Sequence, residues 1–351
     1  MANLRPILFM GLLVLAYMMW VEWEKDYGPK PQQQAPATST STDVTAQSSN
    51  IPVPQDNSVP DMGDLPSASS APVGDVDPAV DQQAVMTGDS ALITVNTDVF
   101  ELRIDPVGGT IVSARLMDYP QEAGIDEIKV DLFNRGGPEM FVAQSGLLSR
   151  SEAPNHTSEY QSATMEYVLA DGVDELRVPL TWEHPSGLRV TKTYIFKRGE
   201  YDIAVRHTLS NQSGQTWAGS RYDQLQRSIL ADRDDGGFTN PGRYSFFGIG
   251  FYSPSEKFEK VEFEDVASEP YKRSFSDGWL SMIQHYFFAA WIPPEGQINS
   301  YSTQIYSPSG FPRYIARAVS PPVEVANGAS HEFESHLYVG PKLQDKMDDV
   351  A

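Results

Sequence analysis

Leu188-Arg189-Val190-Thr191-Lys192-Thr193-Tyr194-Ile195-Phe196-Lys197 alternates apolar and polar residues, the pattern of a strand that buries one face only. Across Arg198-Gly199-Glu200 a second such run, Tyr201 to Leu209, completes a β-hairpin. Outward from this hairpin the same texture recurs. Leu92 to Val95, Val99 to Ile104 and Thr110 to Met117 precede it, the last after a Pro106-Val107-Gly108-Gly109 turn. Phe258-Glu259-Lys260-Val261-Glu262-Phe263, Arg313 to Val319 and His331 to Val339 follow it. No long amphipathic helix interrupts these runs, and only Gln344 to Val350 reads as helical. Many short strands without intervening helices predict an all-β, antiparallel sandwich. Residues 91–340 are too many for an immunoglobulin-sized unit, so the expectation is one large two-sheet sandwich. No internal repeat suggests a propeller or solenoid.

Before the sandwich the chain changes character twice. Residues 25–90 are Pro, Ser, Thr, Gln, Ala and Asp, with no Lys or Arg after Lys30. Such a stretch buries too little apolar area to offset the entropy of ordering it, and reads as a disordered tether. Residues 1–24 read as a transmembrane anchor. Leu4 to Trp23 is about twenty residues, roughly 30 Å as a helix, which matches a bilayer core. Ile7 to Val21 is uninterrupted and apolar, and Tyr17, Met18, Met19, Trp20 and Trp23 leave no small-residue cleavage pattern. Trp20 and Trp23 suit the lipid interface, and Arg5 before the span keeps the amino terminus cytoplasmic. Everything after about residue 24 is then expected outside the cytoplasm.

Composition excludes several functions. A net charge of -21, from 47 acidic and 26 basic residues, repels phosphate backbones, so no nucleic-acid partner is expected. Membrane lipid is met through the hydrophobic helix and not through a basic patch. The absence of cysteine removes disulfides, thiolate metal sites and Cys nucleophiles.

No catalytic or cofactor residue emerges. His156, His184, His207, His285, His331 and His336 form no metal-binding pair, and His331 and His336 fall on opposite faces of a strand. Asp232-Arg233-Asp234-Asp235-Gly236-Gly237 fails as a calcium loop, because its fifth position is Gly236 and its twelfth is Arg243. Glu262, Glu264 and Asp265 read as solvated carboxylates along a strand edge. Neither metal nor nucleotide is expected. Trp182, Trp217, Trp279 and Trp291 could stack on sugars, which keeps a tethered sugar-binding or mutarotase-like protein as a second reading.

The most unusual segment runs from Gly278 to Pro293: Gly278-Trp279-Leu280-Ser281-Met282-Ile283-Gln284-His285-Tyr286-Phe287-Phe288-Ala289-Ala290-Trp291-Ile292-Pro293. It reads either as central core strands or as an apolar surface that receives a partner. Gly278, Trp279, Gln284, His285, Tyr286, Trp291 and Pro293 are its marker residues. The segment resembles the first periplasmic domain of the YidC family of bacterial membrane protein insertases. Asn3-Leu4-Arg5-Pro6-Ile7-Leu8, Asp105 to Val112, Phe258 to Val261 and Tyr338 to Leu343 resemble it too, in the same order. The resemblance implies a β-supersandwich of galactose-mutarotase-like shape in the periplasm, held at the inner membrane. It also implies insertion of nascent inner-membrane proteins, alone or with the Sec translocon and SecD/SecF, without cofactor or enzymatic step. In the family five further membrane helices carry the insertase core. Residues 341–351 are therefore expected to begin a helical lead-in to a bundle that this chain lacks.

Overall fold

A computed structural model of the chain describes residues 91–122, 125–229, 246–284, 286–307 and 311–342, all within one compact unit, Val59–Ala351. The alternating run is strand β9 (Leu188–Lys197), with Leu188, Val190, Tyr194 and Phe196 buried and Arg189 and Lys197 exposed. Burying each large apolar side chain contributes roughly 1.5–3 kcal/mol, which fixes the register of the strand. It pairs antiparallel with β10 (Asp202–Asn211) across the Arg198–Glu200 turn.

β9 and β10 belong to a sheet of nine strands. From one edge it runs β13 (Lys257–Val261), β12 (Gly248–Ser253), β15 (Trp279–Gln284), β16 (Phe287–Ile292) and β20 (Ser330–Pro341). Next come β10, β9, β8 (Glu175–Glu183) and β6 (Gln161–Ser162). The other sheet has eleven strands. Its main path is β14 (Lys272–Phe275), β17 (Asn299–Tyr306), β18 (Arg313–Val319), β11 (Trp217–Ser228) and β5 (Phe141–Ser149). It continues through β3 (Thr110–Glu122), β2 (Phe100–Asp105), β1 (Ile93–Asn96) and β7 (Glu166–Val168). β19 (Val323–Val325) pairs with β11, and β4 (Ile125–Asp131) with β3. The sheets pack on a shared apolar core, where Trp217 of one meets Phe333 of the other edge-on at 6.3 Å. The two-sheet sandwich is thus as the alternation foretells.

Three details differ from that reading. β7 pairs with β1 in parallel, because the chain crosses from β6 in one sheet to β7 in the other without a hairpin. β3 extends past Met117 to Glu122, with Pro120 at an irregularity in its pairing with β4. Glu262, Glu264 and Asp265 follow β13 into a turn and a short 3₁₀ segment, Asp265–Ala267, instead of lying on the strand edge.

The turn between β2 and β3 is clamped from outside. Gly108 N donates to Ser158 O (2.7 Å), and Tyr160 N donates to Pro106 O (3.0 Å). Gly108 takes φ +75°, and a Cβ there would lie 2.2 Å from His156 O. Gly108→Ala should therefore cost roughly 2–5 kcal/mol, from the left-handed backbone and the overlap together. Thermal unfolding followed by circular dichroism should show a midpoint lower by at least about 5 °C. An unchanged midpoint would mean that the clamp is slack.

Candidate functional site

The Gly278 to Pro293 segment is a hairpin of two central strands. β15 lies between β12 and β16, and β16 between β15 and β20. Both faces of such strands are covered, so the sequence runs apolar instead of alternating. Leu280, Ser281, Met282, Ala289, Ala290 and Trp291 are wholly buried. Of the two readings of this segment, the core strands are what the structure holds.

Its marker residues divide between the two ends of the hairpin. At the root, Trp279 stacks on Tyr252 with centroids 5.6 Å apart, and Pro293 is buried. Gly278 accepts a hydrogen bond from Tyr301 Oη (2.8 Å), and a Cβ on it would meet Tyr252 O at 2.2 Å. Midway, Trp291 Nε1 donates to Gln224 O (3.0 Å) on β11, pinning the hairpin to the opposite sheet. At the tip, Gln284 Oε1 accepts from Arg227, whose guanidinium sits 4.6 Å from the Phe141 ring and 4.5 Å from the Phe247 ring. Tyr286 is 73% exposed.

The tip is also where the described chain leaves its last strand. Lys342 N donates to Tyr286 O (2.8 Å), beside the Phe287 pairing with Pro341. Phe287 meets Tyr119 edge-on at 5.5 Å, and Phe288 stacks on Tyr338 at 4.8 Å. Burial, and then the nearby Lys260 charge, hold the Lys342 ammonium below its ordinary value.

Between the sheets lies a layer of polar groups that the sequence reading did not single out. Lys192 Nζ donates to Gly108 O (3.0 Å), Gly109 O (2.9 Å) and Ser145 O (3.2 Å). Tyr194 Oη also donates to Gly109 O. Arg221 pairs with Asp223 at 2.8 Å, and Ser335 Oγ donates to Asp223 (3.1 Å). His207 is wholly buried on β10, and His156 Nδ1 lies 2.6 Å from Tyr222 Oη. Burial pulls Lys192 down to about 7, His156 down to about 4 and His207 well below its ordinary value. Burial likewise pushes the Asp223 carboxyl up, against the pull of Arg221. A signal for Lys192 was present: it stands in phase with Leu188, Val190, Tyr194 and Phe196.

Lys192, His207, Arg221 and Asp223 are all buried between the sheets. One concavity, about 680 Å³, includes Arg115, Asp131, Arg135 and Arg227 in its lining. Arg115 is held bidentately by Glu101 (3.0 and 2.9 Å), and Arg135 lies 3.4 Å from Asp105. Asp131 accepts from Ser113 Oγ and Ala114 N, both at 2.8 Å. These groups are committed to one another. Among the described residues no three His, Asp or Glu side chains gather to hold a metal. His331 and His336 do lie on opposite faces of β20, His331 against Phe333 (4.5 Å) and His336 on Asp202 (2.6 Å). Trp217, Trp279 and Trp291 are buried, and Trp182 stacks on His184 at 5.7 Å, so they form no open platform for a sugar ring.

Leu4, Arg5, Ile7, Trp20, Trp23, Asp232 to Gly237, His285 and Gln344 to Val350 lie outside the described residues. Among the described residues no helix is long and apolar enough to cross a membrane.

The model of the YidC periplasmic domain matches residues 92–351, the whole of the sandwich. The chain belongs to the YidC family. Membrane protein insertase YidC of Thioalkalivibrio sulfidiphilus is 35% identical over 98% of this YidC-family chain and 59% of its own length. That of Methylococcus capsulatus is 36% identical over 100% of the chain and 60% of its own length. The chain thus spans about 60% of the length of these curated relatives. A galactose mutarotase related enzyme from Lactobacillus acidophilus is similar at a TM-score of 0.46 and 9% identity, over 72% of this chain and 100% of that one.

Two outcomes follow for this YidC-family domain. Gly278→Ala places a methyl against backbone at the hairpin root and should lower the unfolding midpoint, whereas Tyr286→Ala at the exposed tip should leave it within about 0.5 kcal/mol. A destabilised tip with an unaffected root would reverse the assignment. The buried histidines set an acid limb. Between pH 6.5 and about 4 the unfolded His156 is charged while the folded one is not, so stability falls as pH drops through that window. His207 acts in the same direction, and the cost is up to about 1.4 kcal/mol per pH unit for each imidazole. His336 opposes them, since Asp202 raises its pKa and its contribution is full below pH 6.5. Urea midpoints at pH 7 and pH 5 should differ less in His156→Gln than in the parent. Equal differences would refute the assignment to His156.

Proposed function

We propose that the chain is the N-terminal part of a membrane protein insertase and chaperone that inserts, folds and assembles inner-membrane proteins. The observation that carries this is the YidC periplasmic-domain match over residues 92–351. Curated insertases aligned over 98% and 100% of the chain support it, since they include its amino-terminal 90 residues. In this reading residues 1–24 anchor the chain with its amino terminus in the cytoplasm, and residues 25–90 are a tether. Residues 91–340 are then the periplasmic sandwich, and 341–351 lead toward a membrane bundle that performs insertion. Nascent inner-membrane proteins are the clients, and the Sec translocon with SecD/SecF is the partner machinery. The part described here presents a surface and holds position, and no covalent step is assigned to it.

Depleting the protein in its own cells tests this directly. The periplasmic tail of a newly made single-span inner-membrane protein should then stay inaccessible to protease added from outside. Undiminished accessibility after depletion would sink the insertase reading.

A further inference from the structure

In the eleven-stranded sheet, β14, β17, β18, β11 and β5 lie side by side. Tyr301, Ala316, Leu225 and Ala143 on these strands point into the core. On the opposite, outward face one row crosses all five strands. Lys272, Ser302, Arg317, Gln224 and Gln144 are direct neighbours in register. Arg313 stands in phase with Arg317 on the same face of β18.

The charge of this face runs against that of the chain. With 47 acidic residues to 26 basic ones overall, these five strands hold one carboxylate, Asp223, and it points inward to Ser335. Lys272, Arg313 and Arg317 are left on the outward face without an acidic residue from the same strands. Among the described residues neither Arg313 nor Arg317 forms an ion pair, and the titratable neighbour that favours the charge of each is a tyrosine, Tyr306 and Tyr222.

The hydrogen bonds of the row have a fixed sense. A guanidinium only donates, and Arg317 Nε gives to Gln224 Oε1 (2.8 Å). Gln224 then turns its amide nitrogen to Gln144, Nε2 to Oε1 at 2.7 Å. The group left over on Gln144 is therefore its own Nε2, wholly buried and without a partner. The loop after β5 covers this face, since a Cβ on Gly146 would meet Asn155 Cα at 2.9 Å.

His156, on that loop, ends the same way. Its ring lies edge-on to Tyr222 (5.9 Å), and the Arg317 guanidinium sits 5.5 Å from the same tyrosine ring. Tyr222 Oη accepts from His156 N (2.9 Å) and gives its proton to Nδ1 (2.6 Å). Burial, and then the Arg317 charge, keep the imidazole neutral, so the remaining proton is on Nε2. That donor too is buried without a partner. The half-buried Arg317 keeps its terminal nitrogens out of any hydrogen bond among the described residues.

Every open group here is a donor, and one of them carries a positive charge. Such a set complements one negative charge spread over two oxygens, the form that a guanidinium fork matches best. Sugar hydroxyls would need acceptors as well.

We propose that Gln144, His156 and Arg317 form a binding site for a carboxylate on the outward face of the eleven-stranded sheet. Lys272 and Arg313 widen the positive field around it and draw the anion in. A free organic acid and the Asp or Glu side chain of a polypeptide present the same group. The site requires nothing from the insertase reading.

The full chain in detergent is unfolded by heat while tryptophan emission is followed. At ten times its dissociation constant, sodium acetate should raise the midpoint by about 3 °C over sodium chloride of equal ionic strength. Arg317→Gln should abolish that rise. Gln144→Glu keeps the oxygen that Gln224 uses and installs a carboxylate at the site. It should raise the midpoint without acetate and remove the response to acetate, and it decides the matter alone if Arg317→Gln fails to fold. Calorimetry with a blocked peptide of alternating Asp and Ser, against its Asn counterpart, separates the two sources. Binding roughly tenfold tighter than acetate per carboxylate supports the site and assigns it to polypeptide side chains. Binding equal to acetate supports it and assigns it to a free acid. No difference between acetate and chloride, or a response to acetate that survives Gln144→Glu, overturns the proposal and leaves the insertase reading standing.

Discussion

The sandwich depends on one buried ammonium. Lys192 Nζ donates to three carbonyl oxygens, two from the β2–β3 turn and one from β5, so a single side chain from the nine-stranded sheet ties two segments of the other. An unpaired charge in that position would cost several kcal/mol, and three acceptors are what an ammonium can fill. The turn that supplies two of them needs Gly108 and Gly109 at positive φ, and it is clamped outside by residues 155–160. The Asp105 to Val112 resemblance to the family therefore has a physical basis: its glycines present bare carbonyls to a lysine far along the chain.

Apolar packing carries the rest, and its distribution explains why the hairpin from Trp279 to Ile292 looks unlike its neighbours. Edge strands such as β13 keep Lys257 and Lys260 exposed, whereas β15 and β16 sit deep in the sheet with both faces covered. Arg227, held between two aromatic rings and bonded to Gln284, joins the sheets at the tip. Trp291 does the same midway through a backbone carbonyl of β11.

The fold class was legible because strand alternation and turn residues are local, and β9 and β18 fall where their sequences place them. Lys192 was legible in principle, since its phase along β9 puts it inside, but its acceptors are some 47 and 84 positions away and no local pattern names them. The Arg221–Asp223 pair was hidden for the same reason, because β11 reads polar while its alternate residues face the core. The tryptophans were visible as residues but not as buried ones, since aromatic content alone does not separate a binding platform from a packed interior. The exposed tip at Tyr286 was hidden inside an apolar run, because a two-strand hairpin and one long strand share the same composition.

The position of β20 has a consequence for the order of assembly. It lies between β16 and β10, pairing Pro341 with Phe287 and Tyr338 with Asp202. The nine-stranded sheet is therefore two separate halves until the last twelve described strand residues arrive. A chain delivered from its amino end holds β8, β9 and β10 with the β10 edge open while roughly 120 further residues, from Asn211 to Ser330, are delivered. Closure of the nine-stranded sheet thus waits for β20, the last of its strands in chain order, although the strands it joins were complete long before it.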